Sequence, residues 1–274
     1  MRERKVARTI ADVGEVDFLA ALLPRLRNGR GTLVGPGQDC AVIRGRGQQW
    51  LFTVDAFVEG VHFKPGWLSP RQIGRKSFLV NASDVAAMGG QPRFCVVSLG
   101  APAAYPVRDL FAVQAGIAAA ARECGACVVG GNLSRAKELF ISVALLADAP
   151  GRVVTRQGAQ VGDRVYVTGS LGDAALAVRL MRRGRRARPP RHLLNRFREP
   201  SPRLRAGRLL VEAGVVSAMI DVSDGLVQDL GHICVESHVG AVVEIARVPL
   251  SAAYRATNGT NARLALHGGE EIIL

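Results

Sequence analysis

The sequence predicts an α/β (α+β) protein of two domains, and three observations predict it. Apolar runs of strand length alternate with longer stretches whose apolar residues recur at helical spacing. Several strand-like runs end at or beside an aspartate, as residues 51–54 do at Asp55. A turn, Ala149-Pro150-Gly151, interrupts the pattern near the middle of the 274 residues, which divides the chain into domains 1–150 and 151–274. That length suffices for two modest cores.

The elements follow in order. Residues 17–26 read as a helix interrupted by Pro24. The turn Gly35-Pro36-Gly37 delivers Asp39 just before a strand at 41–43, and a strand at 50–54 ends on Asp55. Ser69-Pro70 is a helix start, with a capping hydroxyl and a proline at the first helical position. This helix should run to about Met88 and carries Asp84 among Ala82, Ser83, Ala86 and Ala87. Within it, Gly74-Arg75-Lys76-Ser77 lacks the upstream glycine of a phosphate loop and is set aside as one. A strand at 93–99, a helix at 107–124, a short buried strand at 126–129 ending in Gly130-Gly131-Asn132, and a strand at 139–146 complete the first half.

In the second half, strands are expected at 164–168, 217–222 and 240–245. A glycine turn at 169–172 opens a helix, whose N-terminus reads as a ready anion site. Helices are expected at 204–213 and 226–237, and the Arg- and Pro-rich stretch 182–203 reads as a loop. The apolar tail Ile272-Ile273-Leu274 reads as a strand that should continue, so a further C-terminal portion is expected.

Composition narrows the function. The chain is 48% hydrophobic and 22% charged, as globular domains are. No apolar run spans a bilayer and no signal-peptide core follows the charged start, so a membrane partner is not expected. Five cysteines, odd in number and dispersed, suit a reducing cytoplasm. The pair Cys124 and Cys127 reads as buried structural thiols. The net charge of +13 raises nucleic acid as a partner, but aromatic residues are only 5%, too few for stacking platforms, and the excess gathers between Arg179 and Arg208. A solvated arginine face or a polyanionic small molecule such as a nucleotide accounts for it better.

Five acids stand out: Asp39, Asp55, Asp84, Asp221 and Asp224. They are either unrelated loop acids or one cluster. Carboxylates sharing a cleft repel unless cations neutralise them. Oxygen ligands favour Mg²⁺, Ca²⁺ or Mn²⁺ over zinc. Such a cluster suits phosphoryl transfer, in which metals bridge phosphates and little covalent chemistry falls to the protein.

Six segments appear in a telling order: LFTVDAFVEGVHF, VNASDVAAMGGQP, VVGGN, TRQGAQVGDRVYVTGSLGDAA, AMIDVSDGLVQDLGHI and ALHGGEE. Together they resemble the thiamine-monophosphate kinase family, of the superfamily that includes aminoimidazole ribonucleotide synthetase. The resemblance implies a PurM-like fold of two α/β domains, with the N-terminal sheets of two subunits pairing in a homodimer and the C-terminal domain incomplete here. It implies transfer of the γ-phosphoryl group of ATP to thiamine monophosphate, giving thiamine diphosphate, with several Mg²⁺ ions. On this resemblance Asp39, Asp55, Asp84, Asp221 and Asp224 match metal ligands, and Asn132 offers a neutral oxygen. Gly131, Asn132, Arg156 and Ser223 match positions that hold ATP. His62 and Glu270 match positions near the acceptor. No residue is implied as a general base, because the acceptor phosphate is already anionic.

Four departures from the family pattern stand in the sequence. Gln38 replaces an acid before Asp39, and Val54 replaces a threonine before Asp55. Asn132 replaces an aspartate, and Glu271-Ile272-Ile273 replaces Asp-Tyr-Glu. They leave open a related enzyme with another acceptor, or a catalytically weak nucleotide-binding homologue.

Overall fold

The computed structural model describes residues 9–149, 151–184 and 187–268. The first half forms one six-stranded sheet: β1 (Thr32–Val34), β2 (Ala41–Arg44), β3 (Gln49–Val58), β4 (Gln91–Ala101), β5 (Cys127–Arg135) and β6 (Phe140–Asp148). The spatial order is β1-β2-β3-β6-β4-β5. Every pair is antiparallel except β4–β5, which is parallel. Helices α1 (Ile10–Val13) and α2 (Glu15–Leu22) precede the sheet. Helix α3 (Pro70–Ala87) joins β3 to β4, and α4 (Val107–Glu123) is the crossover from β4 to β5.

Two helices cover one face of the sheet. Helix α3 begins with the expected cap: Ser69 and Gln72 bond reciprocally across the first turn. Its long buried face, including Phe78, Ala82, Val85 and Ala86, meets β3 and β6. Helices α3 and α4 cross at backbone contact. A Cβ on Gly74 would stand 1.9 Å from the Val113 carbonyl oxygen, and one on Gly116 would stand 2.1 Å from that of Arg71. Glycine is required at both.

The second half is helical: α5 (Asp173–Arg182), α6 (Arg191–Arg198), α7 (Leu204–Ala213), α8 (Leu226–Ser237), α9 (Ala252–Asn258) and α10 (Arg263–His267). One apolar core runs from the sheet through α3 and α4 to Leu176, Leu193, Phe197 and Tyr254. A second cluster sets Ala86 and Ala87 of α3 against Val154, Val211 and Met219. The halves therefore share buried surface, with α3 at the seam.

Several expectations need correction. Strand β3 does not stop at Asp55. It continues to Val58, because β6 supplies ladder partners as far as Val58↔Phe140. The strand expected at 126–129 is longer and exposed: it is the edge strand β5, paired among the described residues only to β4, and it runs through Gly130, Gly131 and Asn132. Accordingly Cys127 is exposed and Cys124 only partly buried; all five cysteines are free thiols. The stretch 182–203 is not all loop. Pro190 precedes α6, whose Leu193 and Phe197, one turn apart, anchor it in the core. The strands expected at 164–168, 217–222 and 240–245 do not form. These segments have no ladder partner among the described residues. The tail from Gly269 onward, Glu270 included, lies outside the described residues.

Candidate active site

The site forms where α3 meets the first turns of the second half. On β3, Thr53 and Asp55 project from the sheet face that carries α3, since alternate residues share a face. Thr53 Oγ donates to Asp84 Oδ2 at 2.6 Å. Strand β2 pairs with β3 only as far as Phe52, so on that edge the Asp55 amide has no strand partner, and it donates to Asn81 Oδ1 at 2.8 Å. Asn81 and Asp84, three apart on α3, thus dock the helix on the strand.

Asp221 reaches the same place from the second half. Met219 is clamped in the cluster with Ala86 and Ala87, and its amide donates to the Thr155 carbonyl at 3.0 Å. Two residues on, Asp221 lies buried beside Asp84. Asp39 arrives on the turn before β2. Carboxylate oxygens of Asp39, Asp84 and Asp221 all lie within 4.8 Å of one another.

Arg156 is the cation of the cluster. Its Nη2 donates to Asp39 Oδ1 at 2.6 Å and its Nε to the same oxygen at 3.2 Å. Its backbone amide donates to Gln38 Oε1 at 2.8 Å. One cation does not neutralise the group. Burial holds the Asp39 carboxyl above its ordinary range even though Arg156 pulls it down. Burial, then the charges of Asp221 and Asp55, push Asp84 well up. Burial and Asp39 do the same to Asp221. Burial raises Asp55 while His62 opposes the rise. Asp39 Oδ2 is buried and has no hydrogen-bond partner among the described residues.

These features fit a divalent cation. Converging carboxylates, two buried and one half-buried, with raised pKa values and an orphaned oxygen are what hard oxygen ligands look like before a cation joins them. Asp39, Asp84 and Asp221 are the residues that would hold it, with Asp55 adjacent. Neighbouring Cys40 is buried, and burial and then the carboxylates around it push its pKa well up, which disfavours the thiolate.

The remaining candidates are placed differently. Ser223 and Asp224 stand exposed on the turn after Asp221; Asp224 Oδ2 accepts from Gln228 Nε2 at 2.9 Å, and Asp224 is not among the three converging carboxylates. Buried Asp229 shapes that turn by accepting the amides of Asp224 and Gly225, and burial pushes its pKa to about 6. Gly131 is required by the sheet: a Cβ there would stand 2.2 Å from the Val97 carbonyl. Asn132 shares a register row with Ser98 and Ser142, on the face turned away from α3, and donates to Ser134 Oγ at 3.0 Å.

His62 lies in the turn after β3. Its Nδ1 accepts the Val58 amide at 3.0 Å, so the neutral ring carries its proton on Nε2. Its ring stacks on Phe57. Sequence reasoning missed Thr53, Asn81 and Asp229. Thr53 lies two residues before Asp55, on the same strand face, and that spacing could have found it.

The comparisons with known proteins agree with this geometry. The sequence model of the AIR synthase related protein N-terminal domain matches residues 37–148, and that of the C-terminal domain matches residues 160–264. A thiamine-monophosphate kinase of Mycobacterium tuberculosis is 34% identical over 269 residues, covering 96% of this chain and 80% of the relative. One from Bacillus subtilis is 32% identical, with 95% and 82% covered. The solved structure of AaThiL complexed with AMPPCP and TMP superposes with a TM-score of 0.88 at 30% identity, covering 98% of this chain and 86% of that one. With both domain models matched in order and relatives this similar over nearly its whole length, the chain belongs to the thiamine-monophosphate kinase family of the AIR synthase related proteins.

Proposed function

We propose that the protein transfers the γ-phosphoryl group of ATP to thiamine monophosphate, giving thiamine diphosphate and ADP, with Mg²⁺. One observation carries this beyond the family name. Asp39, Asp84 and Asp221, from three separate segments, converge at a buried point that also holds Arg156. The difficulty in such a transfer is bringing two anions together, not activating a nucleophile. When bound, divalent cations at the carboxylates would offset the phosphate charges. Arg156 adds a fixed positive charge, Thr53 and Asn81 hold Asp84 and Asp55 in register, and the Nε2 proton of His62 is a donor for an anionic acceptor.

Further parts of the proposal rest on the same footing. Mg²⁺ ligation extends to Asp55 and Asp224, and Gly131, Asn132, Arg156 and Ser223 serve the nucleotide. Glu270 serves the acceptor. The chain divides into domains near residue 150, supported by the bounds of the two matched domain models. The protein pairs as a homodimer through the outer face of its sheet, where Phe52, Val54, Phe94 and Val96 stand exposed in adjoining register rows. The five free thiols fit a reducing cytoplasm. Among the described residues no helix is long and apolar enough to cross a membrane.

The test is chromatographic detection of thiamine diphosphate from ATP and thiamine monophosphate, with and without Mg²⁺. Turnover should require the metal and disappear in Asp55→Ala. Binding of AMPPCP without any turnover would instead favour a nucleotide-binding homologue. One observation keeps that second reading in play: Gln38, where the family pattern has an acid, spends its side-chain oxygen on the Arg156 amide.

A further inference from the structure

Helix α8 ends on Ser237, 81 positions beyond Arg156. Its hydroxyl accepts the amides of Gly158 and Ala159, each at 3.1 Å, and donates to the Arg156 carbonyl at 3.0 Å. A hydroxyl has one proton and two lone pairs, so its bonding capacity is filled. All three partners belong to the irregular stretch that carries Arg156. On the other side, Gln38 holds the Arg156 amide. The stretch is also wedged: Gly158 has φ 130°, and a Cβ there would stand 2.4 Å from the Ser217 carbonyl oxygen.

We propose that Ser237 is a positioning residue for Arg156. It fixes the backbone from which the guanidinium reaches Asp39 and, on the kinase reading above, the nucleotide phosphates. Helix α8 thereby serves the site from both ends, through Asp229 on the turn of Asp221 and through Ser237 on the loop of Arg156.

The experiment compares the full-length wild type with Ser237→Ala, Ser237→Thr, Arg156→Ala and the Ser237→Ala/Arg156→Ala double variant. AMPPCP affinity is measured calorimetrically with Mg²⁺ present, and KM is measured for each substrate. Ser237→Ala should weaken AMPPCP about tenfold and raise KM for ATP in step, with KM for thiamine monophosphate moving less than about twofold. Ser237→Thr, which keeps the hydroxyl, should recover wild-type affinity to within about twofold. In the Arg156→Ala background, Ser237→Ala should cost nothing more.

Equal AMPPCP affinity in Ser237→Ala and wild type overturns the proposal, as does an undiminished cost in the Arg156→Ala background. Should the alanine variant not fold, Ser237→Cys, close in size and weak in hydrogen bonding, carries the same expectations. A wild type that binds no AMPPCP refutes the kinase reading, a result distinct from failure of the Ser237 proposal alone.

Discussion

The two halves of the molecule handle the same kind of sequence differently. In the first, every apolar strand-like run finds a neighbour, and six strands close one sheet. In the second, residues 164–168 and 240–245 are as strand-like, yet they pair with nothing among the described residues, and Tyr166 and Val242 are 78% and 94% exposed. The difference teaches that alternation and β-branching supply only a capacity to extend. A ladder also needs a second backbone at hydrogen-bonding distance, and that is a property of the fold.

Hydrogen exchange probes this contrast, and there the effect should be largest. Amides in β3, β6 and the central part of β4 should exchange at least about a thousandfold more slowly than those of 164–168 and 240–245. Equal protection would show that the second-half segments are paired in solution. Next in size is Phe197→Ala, which tests whether the halves share a core. Phe197 is fully buried, and the Lys76 ammonium lies 4.0 Å from its ring centroid. Its loss should cost about 3–5 kcal/mol in chemical denaturation, in one cooperative transition. Two separate transitions would mean that the halves unfold independently.

Asp84→Asn and Asp221→Asn remove one carboxylate from each half. Each should lower turnover by about a hundredfold or more, while raising the melting temperature of the metal-free protein, since each relieves like-charge crowding. A difference in sign between the two would break the picture of a single shared cluster. Thr53→Val deletes the hydroxyl on Asp84 and should cost about tenfold in turnover.

The smallest effect is on pH dependence. Asp84 and Asp221 have folded pKa values above their unfolded ones, so the fold favours their protonated forms. Their contribution to stability is present below the unfolded value of about 4 and is lost as pH rises through the raised folded values. Without metal, the wild type should therefore lose melting temperature on that rise relative to Asp84→Asn. Added Mg²⁺ should reduce the loss, and a trend indifferent to Mg²⁺ would argue against cation binding there.

Much of the first half was legible because its signals are local. Ser69-Pro70 marks the start of α3, and alternation marks the strands. The site was legible as a set of acids, and Asp39, Asp84 and Asp221 do converge. Pairing was not legible. Asp55 looked like a strand end, but β6 carries β3 three residues further. The prolines near α6 looked like breakers, but Pro190 sits at the helix entrance, where its missing amide costs nothing.

By itself the sequence determined the start of α3, the apolar runs of the first half and the identities of the acids, because each depends on a residue and its near neighbours. Only the tertiary structure decided which strands found partners, that Thr53 rather than Val54 brings a hydroxyl to the carboxylates, and that Ser237 holds the loop of Arg156. Those contacts join residues 31 and 81 positions apart. No local pattern encodes such a distance; it is set by how α3 and α8 pack.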